Sequence, residues 1–233
     1  MEKLLIWDID GTLIRCKGVG RKALNAAFEE RFGIPSGFDN IDMAGGLDAL
    51  IVGRAFAHHG LPKEDIPSFY AHYGRALAGQ LDIHRPTVHV GVEQILEETT
   101  RSGRILNTVA TGNCTIGAAM KLEFTGLDHY FSLGGYGSDF TRREALVADV
   151  IARANADRQT PFAPEDIYVI GDTPHDIQSG KKNLVRTVAL LTGYSSKETL
   201  LANEPDILLG SLADVQAFYK AIEWTSNKQE GDS

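Results

Sequence analysis

At 233 residues the chain fits one large domain or a core with a small insert. Its 43% hydrophobic and 23% charged content is ordinary for a globular protein, and a net charge of -8 excludes the broad basic face that nucleic-acid binding needs. No apolar stretch approaches the about 20 residues of a membrane span, the N-terminal apolar run is too short for a secretory signal, and Cys16 and Cys114 alone make no disulfide framework. A monomer in a reducing, cytoplasmic setting is expected, with no nucleic-acid or membrane partner.

Hydrophobic patterning predicts a strand over 4–9, then helices over 21–32, 48–59 and 63–80 with no strand between them. From Val92 the pattern alternates: helix 92–101, strand 105–110, helix 114–124, a short strand 131–133, helix 143–156 and strand 167–170. Helix 177–183, strand 185–191, helix 197–202, strand 207–209 and helix 212–222 complete the series, and the polar segment 226–233 is expected to be a disordered tail. Strands alternating with helices predict an α/β fold, a Rossmann-like parallel sheet covered on both faces, with ligands bound beyond the carboxyl ends of its strands. The expected division is a core over 1–14 and 86–225, with a small α-helical domain over 15–85 inserted after the first strand.

Asp8-Ile9-Asp10-Gly11-Thr12 follows the apolar run Leu4-Leu5-Ile6-Trp7. Two acids at the mouth of a buried strand must be paired or coordinate a metal. Alternation predicts that Asp8 and Asp10 share one side, and Gly11 allows a sharp exit. The arrangement suits a divalent cation held by oxygens beside a carboxylate nucleophile. Asp and Gly are also ordinary turn residues, but further polar groups follow two later strands: Thr111-Gly112-Asn113 after 105–110, and Asp172-Thr173-Pro174-His175-Asp176 after 167–170. All fall on one rim of the predicted sheet.

In these motifs the chain resembles the phosphatase branch of the haloacid dehalogenase superfamily, near its phosphoglycolate phosphatase-like and β-phosphoglucomutase-like members. The resemblance implies a helical cap after the first strand and identifies Asp8 as the nucleophile that forms an aspartyl-phosphate. Asp10 would be the acid and base, protonating the leaving alcohol and then taking a proton from water. It implies Mg²⁺ held by the Asp8 carboxylate, the Asp10 backbone carbonyl and Asp172, with Asp176 as a further ligand or an orienting group. Thr111 would donate its hydroxyl to a phosphoryl oxygen, with the Gly112 and Asn113 amides adding donors. The family also places a Lys or Arg between the last two motifs. Arg143, ahead of Leu146, Val147 and Val150, is preferred to Arg142, and Lys121 is set aside because it falls inside the preceding helix.

The Gly-rich turn Ala44-Gly45-Gly46-Leu47-Asp48 corresponds to a substrate-specificity loop in related caps, which makes Gly45 a candidate contact. The Arg frequent there is replaced by Gly46, so a substrate cation is sought at Arg54; a plain loop with a helix cap at Asp48 is the simpler alternative. Cys114 follows Asn113 near a helix start and is read as a small buried filler. The function expected is a Mg²⁺-dependent phosphatase acting on a small phosphorylated metabolite. A phosphomutase is the nearest alternative, although related mutases tend to carry Val where this chain has Thr12. A dehalogenase would not need an acid at Asp10, a phosphonate hydrolase would need a Schiff-base Lys in the cap, and a non-catalytic binding protein would show an eroded motif.

Overall fold

The computed structural model describes residues 2–43, 46–156 and 158–225. Strand β1 (Lys3–Trp7) is followed by a two-residue strand β2 (Ile14–Arg15) and helices α1 (Val19–Phe32), α2 (Asp48–His58) and α3 (Ile66–His84). After β3 (Thr87–Val88) the chain alternates through α4 (Val92–Arg101), β4 (Ile105–Thr111), α5 (Thr115–Thr125), β5 (Gly134–Tyr136), α6 (Arg143–Asn155) and β6 (Ile167–Gly171). It ends with α7 (Pro174–Lys182), β7 (Arg186–Leu190), α8 (Lys197–Leu201), β8 (Ile207–Leu209) and α9 (Val215–Ala221). No helix among the described residues is long and apolar enough to cross a membrane.

Six strands form one parallel sheet in the order β5-β4-β1-β6-β7-β8. Every residue of β1 and β6 is buried, as expected of strands covered on both faces. Alternation divides them: Leu5, Trp7, Tyr168 and Ile170 join one hydrophobic cluster with α4, α5 and α9. Leu4, Ile6, Ile167 and Val169 join the opposite cluster with α6. Because β1 lies between β4 and β6, with Trp7 in register with Val109 and Ile170, the segments leaving these strands emerge side by side. This brings Asp8, Thr111 and Asp172 to one rim.

Helices α1–α3 bury a third cluster of their own, centred on Phe28, whose ring meets those of Phe38, Phe56 and Phe69 edge-on. The two chain passages that join this helical lobe to the sheet pair with each other as the antiparallel strands β2 and β3. Each passage carries a non-glycine residue in the left-handed region, Lys17 at φ 49° and Arg85 at φ 38°.

The edge strand differs from expectation: pairing with β4 begins at Gly134, not in the apolar run 131–133. A side chain at Gly134 would run into Val109, and one at Gly135 into Leu146 and Val150, so the position beside β4 accepts only glycine there. The apolar run itself lies just before the strand, where the Leu133 carbonyl accepts the Val109 amide. The paired strands β2 and β3 were not foreseen, because two-residue ladders leave no periodic signal. The expected tail at 226–233 lies outside the described residues.

Candidate active site

β1 ends at Trp7, and Asp8 follows with its amide donating to the Ile170 carbonyl of β6. That bond holds Asp8 between the tips of β1 and β6, 7% exposed. Gly11, at φ +91°, turns the chain immediately beyond. A Cβ there would press on the Asp172 carboxylate, so the turn and the close approach both require glycine. Gly193, in the loop after β7, packs against the other side of Asp172, where any side chain would collide. Thr12 donates its hydroxyl to Asp172 Oδ1 at 3.3 Å, and Thr192 donates to the Gly11 carbonyl at 2.6 Å.

Asp8, Asp172 and Asp176 each present a carboxylate oxygen, and these atoms lie within 4.8 Å of one another, all three residues buried. One guanidinium lies among them: Arg143, the first residue of α6, donates from Nη2 to Asp8 Oδ1 at 2.9 Å and to the Ala110 carbonyl at 3.3 Å. The same nitrogen lies 2.5 Å from Asp176 Oδ1, but off the line a hydrogen bond requires, so that oxygen keeps a free lone pair. Asp176 Oδ2 accepts the amide and hydroxyl of Thr173, closing a capping box at the start of α7, where Pro174 takes the first helical position.

One cation against three buried carboxylates leaves a surplus of negative charge. Burial first, then Asp176, push the Asp8 carboxyl up to about 7 despite Arg143. Burial and the charges of Asp8 and Asp176 push Asp172 up to about 8. The spare Asp176 lone pair and this repulsion fit a divalent cation held by oxygen ligands.

Asp10 points elsewhere. Its Oδ2 accepts Lys121 Nζ at 2.6 Å and Asn113 Nδ2 at 2.7 Å, while Oδ1 is buried without a hydrogen-bond partner among the described residues. Burial works to raise this carboxyl, but Lys121, a contact from the Cys16 thiol and the Asn113 amide outweigh it and hold it below the ordinary range. Asn113 also donates to Thr111 Oγ1 at 2.7 Å from its side chain and at 3.3 Å from its backbone amide. The Thr111 hydroxyl accepts both and keeps its proton for another acceptor.

Helix α2 closes over this rim. The Asp48 amide donates to the Gly112 carbonyl at 2.8 Å, the Ala49 amide to the Gly137 carbonyl at 2.9 Å, and the Cys114 amide to Asp48 Oδ2 at 2.7 Å. Asp48 therefore caps α5 from across the interface and is not the cap of its own helix, whose N-cap position is Leu47. Cys114 is buried, and burial followed by the charge of Asp48 pushes its thiol well up. Between lobe and sheet lies a cavity of about 790 Å³ lined by Asp8, Asp10, Thr111, Arg143, Asp172 and, from the lobe, Lys17 and Arg21.

Asp8, Asp10, Thr111, Gly112, Asn113, Arg143 and Asp172 thus line one cavity, with Asp176 touching Arg143 behind it. Arg54 is not among them: it sits on the exposed face of α2 and donates to the Asp42 carbonyl at 2.7 Å. Gly45 lies outside the described residues. His175 is exposed. Lys121, set aside because it belongs to a helix, reaches the site all the same. A helical side chain leans toward the N-terminus of its helix, and α5 starts at the rim. The available signal was one Lys on the otherwise apolar or small-residue face of α5, beside Ala118 and Leu122.

A family model described as haloacid dehalogenase-like hydrolase matches residues 5–190. A phosphoglycolate phosphatase from Rhodospirillum rubrum is 30% identical, over 99% of this chain and 94% of that protein. The pyrophosphatase PpaX of Listeria monocytogenes is 22% identical, over 94% of this chain and 97% of its own length. Among solved structures, a mutant of CbbY from Rhodobacter sphaeroides in complex with xylulose-(1,5)bisphosphate superposes with a TM-score of 0.71. That match covers 92% of this chain and 96% of CbbY at 15% identity, a likeness of fold.

Proposed function

The chain belongs to the haloacid dehalogenase-like hydrolase family, and on that footing we propose that it is a Mg²⁺-dependent phosphatase that frees inorganic phosphate from a small phosphorylated metabolite through an aspartyl-phosphate on Asp8. A phosphoglycolate phosphatase and a pyrophosphatase are among its relatives, and both names describe hydrolysis at phosphorus. The observation that carries the finer reading is the cluster of Asp8, Asp172 and Asp176 within 4.8 Å, with Asp8 and Asp172 lining the cavity and Arg143 bonded to Asp8.

Asp8, Asp172, the backbone carbonyl of Asp10 and Asp176, directly or through water, would hold the ion. A divalent cation there offsets the repulsion between the Asp8 carboxylate and an incoming phosphate dianion. Arg143 binds a phosphoryl oxygen while keeping Asp8 oriented, and its fork is permanently charged. The Thr111 hydroxyl proton and the amides of Gly112 and Asn113 complete the phosphoryl site. Asp8 attacks phosphorus, the bond to the leaving oxygen breaks with its electron pair on that oxygen, and Asp10 supplies the proton. The resting Asp10 is a carboxylate, and the approach of a phosphate dianion disfavours that charge, so proton uptake accompanies substrate entry. In the second step a water gives its proton to Asp10 and displaces Asp8 from phosphorus. Helices α1–α3 act as a cap that excludes bulk water from both steps.

The test is release of inorganic phosphate from a panel of phosphorylated metabolites with and without Mg²⁺, using the wild type and Asp8→Asn. Metal-dependent release that disappears in Asp8→Asn is expected. Full activity in that variant refutes the nucleophile, and conversion to an isomer with no free phosphate points to a mutase.

A further inference from the structure

Helix α5 carries two charged residues, Glu123 in solvent and Lys121 buried to 2% exposure. A buried ammonium is costly unless its protons are matched. Lys121 meets two acceptors, Asp10 Oδ2 and Asn113 Oδ1, each at 2.6 Å. Asn113 closes the ring by donating to the same Asp10 oxygen at 2.7 Å. The start of α1 lies over the ring: a Cβ at Gly20 would sit 3.8 Å from Lys121 Nζ. Lys121 makes no bond to Asp8, Asp172 or Asp176, so the metal cluster and the phosphoryl site do not explain it.

The consequence falls on one carboxyl group. Asp10 Oδ1 is buried without a partner, so the exposed part of this side chain, 34% of it, presents Oδ2, the oxygen that Lys121 and Asn113 hold. Rotation about the Cβ–Cγ bond would exchange the two oxygens, and the ring of Lys121, Asp10 and Asn113 prevents it. We propose that Lys121 is the positioning residue of Asp10, holding its carboxyl toward the leaving-group oxygen, and that the site is accordingly built for phosphate monoesters of unactivated alcohols, whose departure requires a proton. This rests on the proposed phosphatase reading. As the phosphorus–oxygen bond breaks, its electron pair goes to the alcohol oxygen and the Asp10 proton passes to it, leaving the Asp10 carboxylate bonded to Lys121. When water attacks the aspartyl-phosphate, its proton returns to Asp10 and Asp8 departs.

The experiment uses the full chain with Mg²⁺ and two probes, phosphoglycolate as the alkyl ester and p-nitrophenyl phosphate as the ester whose leaving group departs unprotonated. Proton transfer of this kind contributes about 10²–10⁴-fold. Lys121→Gln is expected to lower kcat for phosphoglycolate by about 100-fold and for p-nitrophenyl phosphate by about tenfold or less. Lys121→Arg should restore part of the ratio between the two. The ratio is taken on one preparation and does not depend on the fraction folded, so a variant that folds poorly still reports. In an Asp10→Asn background, Lys121→Gln should leave the ratio unchanged, because the group it positions is already gone. Equal losses for both probes overturn the proposal, as does a wild type that cleaves p-nitrophenyl phosphate but not phosphoglycolate. A wild type that cleaves neither, or an Asp8→Asn variant that cleaves both, overturns the phosphatase reading instead.

Discussion

Replacing Asp8 with Asn should make the metal-free protein more stable while ending turnover. Burial and the neighbouring Asp176 raise the Asp8 carboxyl from 3.8 to about 7, against the pull of Arg143. A carboxyl raised in the folded state lends stability that is complete below its unfolded value and is lost as the pH climbs through its folded value. The window here runs from about pH 4 to about pH 7. At about 1.4 kcal/mol per unit, a rise of about three units costs the metal-free protein up to about 4 kcal/mol at pH 8. At pH 5 only the stretch above the unfolded value counts, and the cost is at most about 1.6 kcal/mol. Asn has nearly the same shape and no charge to desolvate. Arg143 loses one carboxylate but keeps Asp176 and the Ala110 carbonyl, which takes back about 1–2 kcal/mol. The net expectation in EDTA is a gain of about 2 kcal/mol at pH 8 and close to none at pH 5, read from urea denaturation midpoints. Mg²⁺ should narrow this gap at pH 8. At a hundredfold excess over its Kd the wild type gains about 2.7 kcal/mol, and the variant, short one ligand, gains less. An Asn variant no more stable than the wild type at pH 8 in EDTA, or one whose gain is larger at pH 5, refutes the reasoning.

Arg143→Met removes the guanidinium bonded to Asp8 and should cut turnover by at least about 100-fold. It should also destabilise the metal-free protein by about 3–5 kcal/mol at pH 8, and by less at pH 5, in the same denaturation assay. Gly193→Ala drives a methyl group against the Asp172 carboxylate; isothermal titration should show Mg²⁺ affinity reduced by about 10–100-fold, with the fold retained by circular dichroism. Asp48→Ala strips the α5 N-terminus of its acceptor, which should cost about 0.5–2 kcal/mol. It should also speed labelling of the buried Cys114 by a thiol reagent, located by mass spectrometry.

The catalytic rim was legible in sequence because each of its parts is local. A mainly apolar strand that ends in an acid or a hydroxyl, as at Trp7–Asp8, Ala110–Thr111 and Gly171–Asp172, needs no partner to be recognised. Parallel pairing then aligns those ends without further information. The misses are contacts made across elements. Lys121 looked like an ordinary helical lysine because its acceptor, Asp10, stands 111 residues away. Asp48 was weighed, as an alternative, as a cap for its own helix, whereas its carboxylate caps α5, 66 residues on. Arg54 was chosen for its charge at a suitable distance along the chain, but the face it occupies on α2 turns outward to Asp42. At the edge strand, the apolar run 131–133 was read as the strand, but glycine is the residue type that fits against Val109 and Leu146. In each case the deciding fact is which face of an element meets which neighbour, and periodicity reports only that a face exists.

The loop after β4 joins these findings. In the proposed site Thr111 would offer a phosphoryl oxygen its hydroxyl proton; Asn113 and Lys121 hold Asp10, and the Gly112 carbonyl and Cys114 amide are bonded to Asp48 at the start of α2. The Asn113 carbonyl accepts the Gly137 amide at 2.7 Å, and the Gly137 carbonyl accepts Ala49 of the same helix at 2.9 Å. Four consecutive residues therefore carry phosphate donors on one side and the docking of the helical lobe on the other. Swinging the lobe away from the sheet requires breaking these bonds or moving the loop with it. In the first case the Cys114 amide and the Asp48 carboxylate lose each other and must be met by water. In the second, Asn113 shifts and Asp10 loses one of the two donors that orient it. Either way the Asp10 carboxyl, proposed to transfer the proton, is best ordered when the cleft is shut, the state that would keep bulk water from the proposed aspartyl-phosphate.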